Sequence, residues 1–387
     1  MFIILKTNPI SGIYIHIPFC KQACHYCNFY FSTSLKKKDQ MIFALCNEIK
    51  LRRTEIDDHE VIKTIYFGGG TPTVLATEAL RFIIDTIYET YLVADDVEIT
   101  VEANPDDLTE DKIKALAANK INRLSIGIQS FFDEDLKLMN RAHNAKEAAD
   151  CLFIATQYFE NITVDLIYGI PNMSLQRWQD NIKRALNYGI PHISSYALTV
   201  EPRTALKKFI DKGLIPPIDD AQAATHFEKL VATLEKEGFV HYELSNFGKP
   251  EYFSKNNTAY WQGKKYLGIG PSAHSYNGKE RSWNCENNTK YLEALQKNEL
   301  PSEIEKLTTT DRYNEYVMTG LRTIWGVSLT KVATDFGVIR KEHLLKQAQK
   351  HLEEGLLHLH EETLLVTKKG KFLSDGIASD LFLLNLE

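Results

Sequence analysis

Several features that would assign a chain to a special class are scarce or missing in this sequence. No segment approaches the roughly 18 uninterrupted apolar residues that a membrane-spanning helix needs. The apolar run near the N-terminus is too short for the core of a signal peptide. Six cysteines in 387 residues are too few for a disulfide scaffold. We therefore expect a globular protein of a reducing compartment, the cytoplasm, while peripheral contact with a membrane stays open.

An excess of positive charge is also missing. The chain has 45 basic and 51 acidic residues, and its formal net charge is −6. Proteins that bind nucleic acid usually carry a basic surface, so we expect no nucleic-acid partner. The hydrophobic content of 44% is sufficient for a large buried core.

Three of the six cysteines stand close together in the segment 12–31, GIYIHIPFCKQACHYCNFYF. Cys20, Cys24 and Cys27 form a CxxxCxxC pattern directly after an alternating apolar strand. Three thiolates can hold three irons of a four-iron cluster and leave the fourth without a protein ligand. A zinc site would need a fourth Cys or His at matching spacing, and a disulfide knot suits a small secreted domain. The pattern therefore favours an iron–sulfur cluster.

Strand-like and helix-like segments alternate through the first two hundred residues. The predicted strands cover 13–17, 61–67, 97–101, 124–128, 162–167 and 193–198, and helical patterns separate them. Such βα units build a parallel sheet with helices outside, either an open doubly wound sheet or a barrel. Because the pattern changes to helices after residue 199, we expect an α/β fold with an incomplete (β/α)6 barrel.

The predicted barrel covers residues 1–238. Residues 239–302 are irregular and rich in aromatic residues and asparagine, and we expect them to close the open side of the barrel. Residues 303–387 have an apolar pattern of their own, which predicts a smaller C-terminal domain of helices with a hairpin wing.

Glycine and polar residues follow the predicted strands, and the carboxyl ends of parallel strands meet at one edge. The run 68–72, GGGTP, permits close backbone approach with unpaired N–H and C=O groups, which suits a small zwitterion; a tight turn is the plainer alternative. Glu102 ends the third strand, where a buried carboxylate needs a partner such as a ribose diol or an ammonium group. Gln129, Arg141 and Asp165 would complete a pocket with an amide, a guanidinium and a second carboxylate.

The cysteine pattern followed by GGGTP resembles the radical S-adenosylmethionine (radical SAM) superfamily. Within it, YIHIPFC at 14–20, VEANP at 101–105, GIQSF at 127–131, DLIYGIP at 165–171 and GIGPSAHS at 268–275 resemble the coproporphyrinogen dehydrogenase family. The likeness covers nearly the whole chain. It implies a [4Fe-4S] cluster on the three cysteines, S-adenosyl-L-methionine chelated to the open iron through its amine and carboxylate, and an electron donor.

The resemblance also implies which residues contact the S-adenosylmethionine. These are Tyr14, Gly69, Gly70, Thr71, Glu102, Gln129, Arg141 and Asp165. Tyr14 would lie beside the cofactor, the glycines and Thr71 would contact its methionine part, and Glu102 would take its ribose.

The family contains an enzyme, the oxygen-independent coproporphyrinogen III oxidase, and a heme chaperone. The oxidase type has a fourth cysteine two residues after the third, where this chain has Phe29, and an N-terminal arm longer than the residues before the first predicted strand. The block YELSNFG at 242–248 is also similar to the chaperone type. The resemblance therefore implies a heme chaperone that holds a [4Fe-4S] cluster with S-adenosylmethionine, binds heme as cargo and passes it to an unknown acceptor protein. An oxidase-like radical enzyme is the alternative, so enzymatic activity stays open.

One residue departs from the chaperone pattern. That type has His-Asn-x-x-Tyr-Trp, and this chain has Asn256 at the first position. Because an amide is a poor axial ligand for heme iron, His241 and His274 are the candidate ligands, and each would otherwise be a hydrogen-bonded loop residue. Near the cysteines, His16 is expected to face the sheet interior and His25 the solvent.

Overall fold

The structure is a computed structural model that describes residues 10–384. Within that range the strands are β1 (Ile10–Ile17), β2 (Val61–Gly69), β3 (Val93–Ala103), β4 (Arg123–Gln129), β5 (Asn161–Tyr168), β6 (His192–Ala197), β7 (Val240–His241), β8 (Asn246–Gly248), β9 (Lys265–Ile269), β10 (His274–Tyr276), β11 (Glu280–Asn284), β12 (Ser302–Lys306), β13 (Val327–Ser328), β14 (Leu357–His360) and β15 (Thr363–Val366).

The α-helices of the same range are α1 (Lys38–Leu51), α2 (Thr77–Thr90), α3 (Glu110–Ala118), α4 (Asp133–Leu138), α5 (Ala145–Ala155), α6 (Leu175–Asn187), α7 (Ala205–Asp211), α8 (Asp220–Lys236), α9 (Lys255–Trp261), α10 (Asn288–Gln296), α11 (Thr309–Leu321), α12 (Leu329–Phe336), α13 (Val338–Glu353) and α14 (Ser374–Asp380). None of these helices is both long and apolar enough to cross a bilayer.

Among residues 10–384 the larger sheet has twelve strands, and its centre is parallel. Strands β1 to β6 lie side by side in chain order, each parallel to the next, and helices lie between them along the chain. The six predicted βα units are thus confirmed to within a few residues. A seventh parallel strand, β9, pairs with the free side of β1. It was not predicted because its short sequence, KYLGI, shows no alternation of polar and apolar residues.

The sheet does not close on itself. Its outer strands, β12 and β7, form no pair with each other in the part of the chain that the structure describes, so the predicted incomplete barrel is confirmed. The segment 239–302 adds strands at both edges: β7 and β8 beside β6, and β9 to β11 beside β1. The outermost strand, β12, begins at the last residue of this segment and continues to Lys306. The domain limits at 238/239 and 302/303 stay a prediction.

The two faces of the barrel strands differ in polarity. In β1, Ile13, Ile15 and Ile17 are fully buried in the hydrophobic core, whereas Tyr14 and His16, between them, line an internal cavity. Successive side chains of a strand point to opposite faces, so this alternation sorts apolar residues outward to the helices and polar residues inward. The interior is therefore a polar chamber.

Residues after about 309 form the smaller unit. Helices α11 to α14 surround a three-stranded sheet of order β13-β15-β14, and a second hydrophobic cluster holds them together. The hairpin β14–β15 is the predicted wing, so the prediction of helices with a hairpin is confirmed.

Candidate functional site

A cavity of about 840 Å³ occupies the barrel. This volume lies within the usual range for small-molecule sites. Four of the predicted cofactor residues line it, namely Tyr14, Gly69, Glu102 and Asp165. The other four are not part of the lining: Gly70, Thr71 and Arg141 contact the loop that carries the cysteines, and Gln129 is the last residue of β4.

The three cysteines lie in the loop after β1, partly buried and free of disulfides. Burial, together with the neighbouring thiols of Cys27 and Cys24, raises the pKa of Cys20 to about 11. Thr71 Oγ1 lies 3.5 Å from Cys20 Sγ, and Arg141 Nη1 donates to Cys24 Sγ at 3.3 Å. Two of the residues predicted to bind the cofactor thus contact the cysteines directly.

These residues fit an iron–sulfur cluster. Three neighbouring thiols with hydrogen-bond donors aimed at two of their sulfurs match thiolate ligands, whose charge such donors stabilise. Among residues 10–384, no three His, Cys, Asp or Glu side chains converge as they would around a single metal ion. In a four-iron cluster each thiolate binds a different iron, so the sulfurs need not converge on one point. The donor set therefore fits a cluster better than zinc.

Arg141 connects the cysteine loop to the ends of two strands. Its Nη2 donates to Asn104 Oδ1 at 2.6 Å and to the Gly127 carbonyl at 2.9 Å. Asn104 Nδ2 donates in turn to Thr71 Oγ1 at 3.3 Å. The sequence reasoning did not single out Asn104, although it directly follows the third strand, where site residues were expected.

The GGGTP run is held against the cysteine loop by its backbone. Gly70 N–H donates to Ile17 O at 2.9 Å and Thr71 N–H to Phe19 O at 2.7 Å. The prediction of unpaired backbone N–H groups is therefore wrong at these two positions. A Cβ on Gly70 would lie 2.5 Å from Phe19 O, so glycine is required for this contact. Gly69 has a φ of +100°, which other residues rarely adopt.

Glu102 and Asp165 bring two carboxyl groups to the cavity wall. Tyr66 Oη donates to Glu102 Oε1 at 2.8 Å. Burial raises the pKa of Glu102, although this hydrogen bond and a second one from the Gly69 N–H act to lower it. Burial, and then the charge of Glu102, raise the pKa of Asp165 to about 8, although Ser125 Oγ donates to it at 3.3 Å. Such a wall suits a ligand with hydroxyl or cationic groups. Sequence reasoning missed Tyr66, whose signal is its inward position in the alternation of β2.

Gln129 ends β4 with a φ of +63° and is buried. A Cβ on Gly127 would lie 3.0 Å from Gln129 Nε2 and 3.1 Å from Arg141 Nη2, so the two side chains meet over this glycine. Gln129 Oε1 has no hydrogen-bond partner among the described residues. A buried acceptor without a partner calls for a donor from outside the described residues, which a ligand or an ordered water can supply.

The histidines occupy different environments. His16 lines the cavity as expected, whereas the expectation that His25 faces solvent is wrong: its Nδ1 lies 2.8 Å from Leu138 O, and its ring packs against Phe209. His274 lines the main cavity. His241 does not; it lines a smaller pocket of about 210 Å³ between the barrel and the C-terminal domain.

Aromatic side chains surround part of the cavity. Phe29 is 71% exposed and lines it, as do Tyr260, Trp261 and Tyr266. Asn256 also lines it, from the first turn of α9, and its Oδ1 accepts a hydrogen bond from the Thr64 hydroxyl at 3.3 Å. The position at which the chaperone type has histidine therefore lies inside the barrel.

Comparison with known proteins agrees with this arrangement. The Radical SAM superfamily profile matches residues 14–185, and the HemN C-terminal domain profile matches residues 307–373. A Bacillus subtilis protein named heme chaperone HemW is 36% identical, over 95% of this chain and 98% of its own length. A Mycobacterium tuberculosis protein of the same name is 32% identical over 96% and 94%.

Among solved structures, coproporphyrinogen III oxidase (HemN) from Escherichia coli matches with a TM-score of 0.84, covering 97% of this chain and 90% of its own. Its sequence identity is 24%, so this match speaks for the fold. The sequence identity of 36% and 32% to the two HemW proteins, which extends over nearly the whole of each chain, is the more specific finding. The chain therefore belongs to the HemW family of the radical SAM superfamily.

Proposed function

We propose that the protein is a heme chaperone that holds a [4Fe-4S] cluster with S-adenosylmethionine, binds heme and transfers it to an acceptor protein. The observation that carries this proposal is the near full-length similarity to proteins named heme chaperone HemW. Phe29, at the position of the oxidase type's fourth cysteine, supports it. The cavity also supports this proposal, because it is large and part of its lining consists of aromatic side chains.

For the cofactor site, we propose that Cys20, Cys24 and Cys27 ligate the cluster. Bound there, the cluster and S-adenosylmethionine would supply a centre able to transfer an electron and cleave a carbon–sulfur bond. Arg141 would neutralise part of the thiolate charge, since its guanidinium already donates to Cys24. The Thr71 hydroxyl would stabilise the Cys20 thiolate by donating a hydrogen bond to its sulfur.

For S-adenosylmethionine itself, we propose that Glu102 accepts the ribose hydroxyls and that Tyr66 orients that carboxylate. Asp165 and Gln129 would complete the polar wall, and Tyr14, whose ring stacks on Tyr66 at 6.0 Å, would border the cofactor. The backbone of Gly69 and Gly70, next to the cysteine loop, would contact the methionine part. Support for these roles comes from the cavity lining and from the orphaned oxygen of Gln129.

For the heme iron, we propose His274 as the imidazole ligand. Burial and the charge of Arg281 hold its pKa below the ordinary value, so its ring is neutral and able to ligate at neutral pH. His241 is the weaker candidate because both its ring nitrogens are engaged: Nε2 lies 3.1 Å from Leu244 O and Nδ1 lies 2.8 Å from Lys371 Nζ.

An Asn256→His substitution would restore the histidine of the chaperone type. Because position 256 lies inside the cavity, we expect the variant to bind heme more tightly and to shift the Soret band. His274→Ala should weaken heme binding in the unchanged chain, whereas His241→Ala should not. Equal spectra for all four proteins would contradict the assignment of the iron ligand.

The function is tested with purified protein carrying a reconstituted cluster. It should bind heme stoichiometrically at micromolar concentration and leave anaerobic coproporphyrinogen III unchanged in the presence of S-adenosylmethionine and a reductant. Failure to bind heme would refute the proposal. Formation of protoporphyrinogen would instead establish the oxidase-like alternative.

The heme acceptor and the electron donor are partners that this function requires, and we propose both without identifying either. We place the protein in the cytoplasm, because thiols that bind a cluster need reducing surroundings. We also propose that residues 1–238 carry the cofactor, 239–302 link it to the C-terminal domain, and 303–387 form that domain.

A further inference from the structure

The charged residues that line the barrel cavity are separated by sign along the strands. Arg123 is the first residue of β4, Lys265 is the first residue of β9, and Lys264 precedes it. Glu102 and Asp165 lie towards the carboxyl ends of β3 and β5. Arg123 lies opposite Thr100 of β3, two residues nearer the amino-terminal ends of the strands than Glu102. The cations therefore lie towards the amino-terminal ends of the strands, and Glu102 and Asp165 lie towards the carboxyl-terminal ends, where the cysteines lie.

The other two acidic residues of the lining do not cancel this pattern. Glu286 lies beyond the carboxyl end of β9, where Ser272 Oγ donates to its carboxylate at 3.2 Å. The Glu243 carboxylate accepts hydrogen bonds from Ser245 N–H, at 3.1 Å, and from the side-chain amide of Asn246. Both carboxylates are thus engaged by neighbours other than the three cations.

Arg123 is the least expected of the cations because it is only 2% exposed. Its Nη2 donates to the Thr163 hydroxyl, whereas its Nε has no hydrogen-bond partner in the part of the chain that the structure describes. The Glu98 carboxylate lies 4.0 Å from that Nε, beyond hydrogen-bond distance. A buried arginine is costly unless it is paired and its donors are used.

The Glu98 carboxylate already accepts hydrogen bonds from the backbone of α9. Its two oxygens accept from the backbone N–H groups of Lys255, at 3.1 Å, and Asn256, at 3.2 Å, in the first turn of α9. Among the described residues, the Arg123 guanidinium donates one hydrogen bond and forms one long ion pair, to Glu98. Because Arg123 also lines the cavity, its remaining N–H groups retain donor capacity for a ligand. A guanidinium binds a carboxylate through paired N–H donors better than any other side chain does.

Lys264 supplies a second cation at the same end. It is exposed, and it forms no ion pair with any described residue, whereas Lys265 pairs with Glu60 at 3.3 Å. Tyr260 and Tyr266, with ring centroids 5.3 Å apart, line the cavity beside it. A flat apolar ring system with acidic substituents matches this combination of aromatic and cationic side chains.

We propose that the amino-terminal end of the cavity is a carboxylate subsite, in which Arg123, with Lys264, binds the propionate groups of the porphyrin and so fixes its orientation. This inference rests on the proposed heme-binding function. The carboxylates would point away from the cysteines and from Glu102 and Asp165, because like charges repel at the acidic end. Recognition by carboxylate is independent of the iron and hence of any axial ligand.

The test compares metal-free protoporphyrin IX with its dimethyl ester, which has the same ring and no free carboxylates. We expect the unmodified protein to bind the diacid at least about tenfold more tightly than the ester, the factor typical of a hydrogen bond to a charged group. Arg123→Gln should remove most of this difference. Lys264→Gln should reduce it by about two- to fivefold, as for an exposed ion pair, and Lys297→Gln, an exposed lysine outside the cavity, should leave it unchanged.

If Arg123→Gln fails to fold, Arg123→Lys and Lys264→Gln are measured instead. Each of these variants must show a smaller ratio of diacid to ester affinity than the unmodified protein. Equal affinity of the unmodified protein for diacid and ester would overturn the subsite while leaving heme binding intact. An unchanged preference in folded Arg123→Gln would do the same. If the unmodified protein binds neither porphyrin nor heme, the subsite and the proposed function both fail.

Discussion

The Tyr66→Phe substitution tests how the proposed ribose-binding carboxylate is controlled. The Tyr66 hydroxyl donates to Glu102 Oε1 at 2.8 Å, and a hydrogen bond to a charged group contributes about 1.5–3 kcal/mol. Water entering the cavity would replace part of this bond, so we expect S-adenosylmethionine binding to weaken by about 1–2 kcal/mol, about five- to thirtyfold in Kd. Equilibrium dialysis with cluster-loaded protein measures this change.

The pH dependence gives the sharper readout. Burial raises the pKa of Glu102, and the Tyr66 bond is the largest opposing cause, so its loss raises that pKa further. The binding defect should therefore grow as the pH falls, because more of the carboxyl group is protonated, and shrink as the pH rises. Tyr276→Phe removes a hydroxyl that donates to Gly278 O at 3.3 Å, outside the cavity lining, and is the matched control. A defect that is constant between pH 6 and 9, or equal in the control, would refute the reasoning.

Three further changes have definite expected outcomes. Cys24→Ala should abolish the absorbance at about 400 nm that is typical of reconstituted iron–sulfur centres. Cys151→Ala, in a core helix, should keep this absorbance. An unchanged iron content in Cys24→Ala would contradict ligation by Cys24. Asp165→Asn should make the melting temperature of the cluster-free protein depend less on pH. The folded-state pKa of Asp165 is about 8, above the usual 3.8, so the unmodified protein loses stability as the pH rises towards 8. Arg52→Met should lower the free energy of unfolding by about 3 kcal/mol, because it leaves its fully buried glutamate partner without its cation. Arg53→Met, at an exposed ion pair, should cost less than about 1 kcal/mol in the same urea titration.

Most of the barrel could be predicted because its signals are local. The strands β1 to β6 are apolar runs or alternations that end at glycine, proline or polar residues, and amphipathic helices lie between them. The strand β9 was missed because nothing in its five residues marks a strand; its partner β1 lies far away in the chain. Likewise, no local pattern indicates that the segment 239–302 contributes to both edges of the sheet.

The site likewise contains residues that could be predicted from the sequence and residues that could not. The cysteines follow from their spacing, and Glu102 follows from its place at the end of a strand. Tyr66 meets Glu102 only because of the register between β2 and β3. The environment of His25 depends on contacts with Leu138 and Phe209, which its own segment does not reveal.

The sequence by itself determined the chemistry of this protein: three thiolates at cluster spacing, the order of the βα units, and the carboxylates at strand ends, since each depends on residues that are neighbours in the chain. Only the tertiary structure decided how these groups are used. In the folded chain the N–H groups of Gly70 and Thr71 donate to the loop that leads to the cysteines, and Arg123 and Lys264 line the cavity nearer the amino-terminal ends of the strands than Glu102 does. Hydrogen bonds and charge separation of this kind arise between residues that are distant in the chain, so they exist only once the sheet has formed.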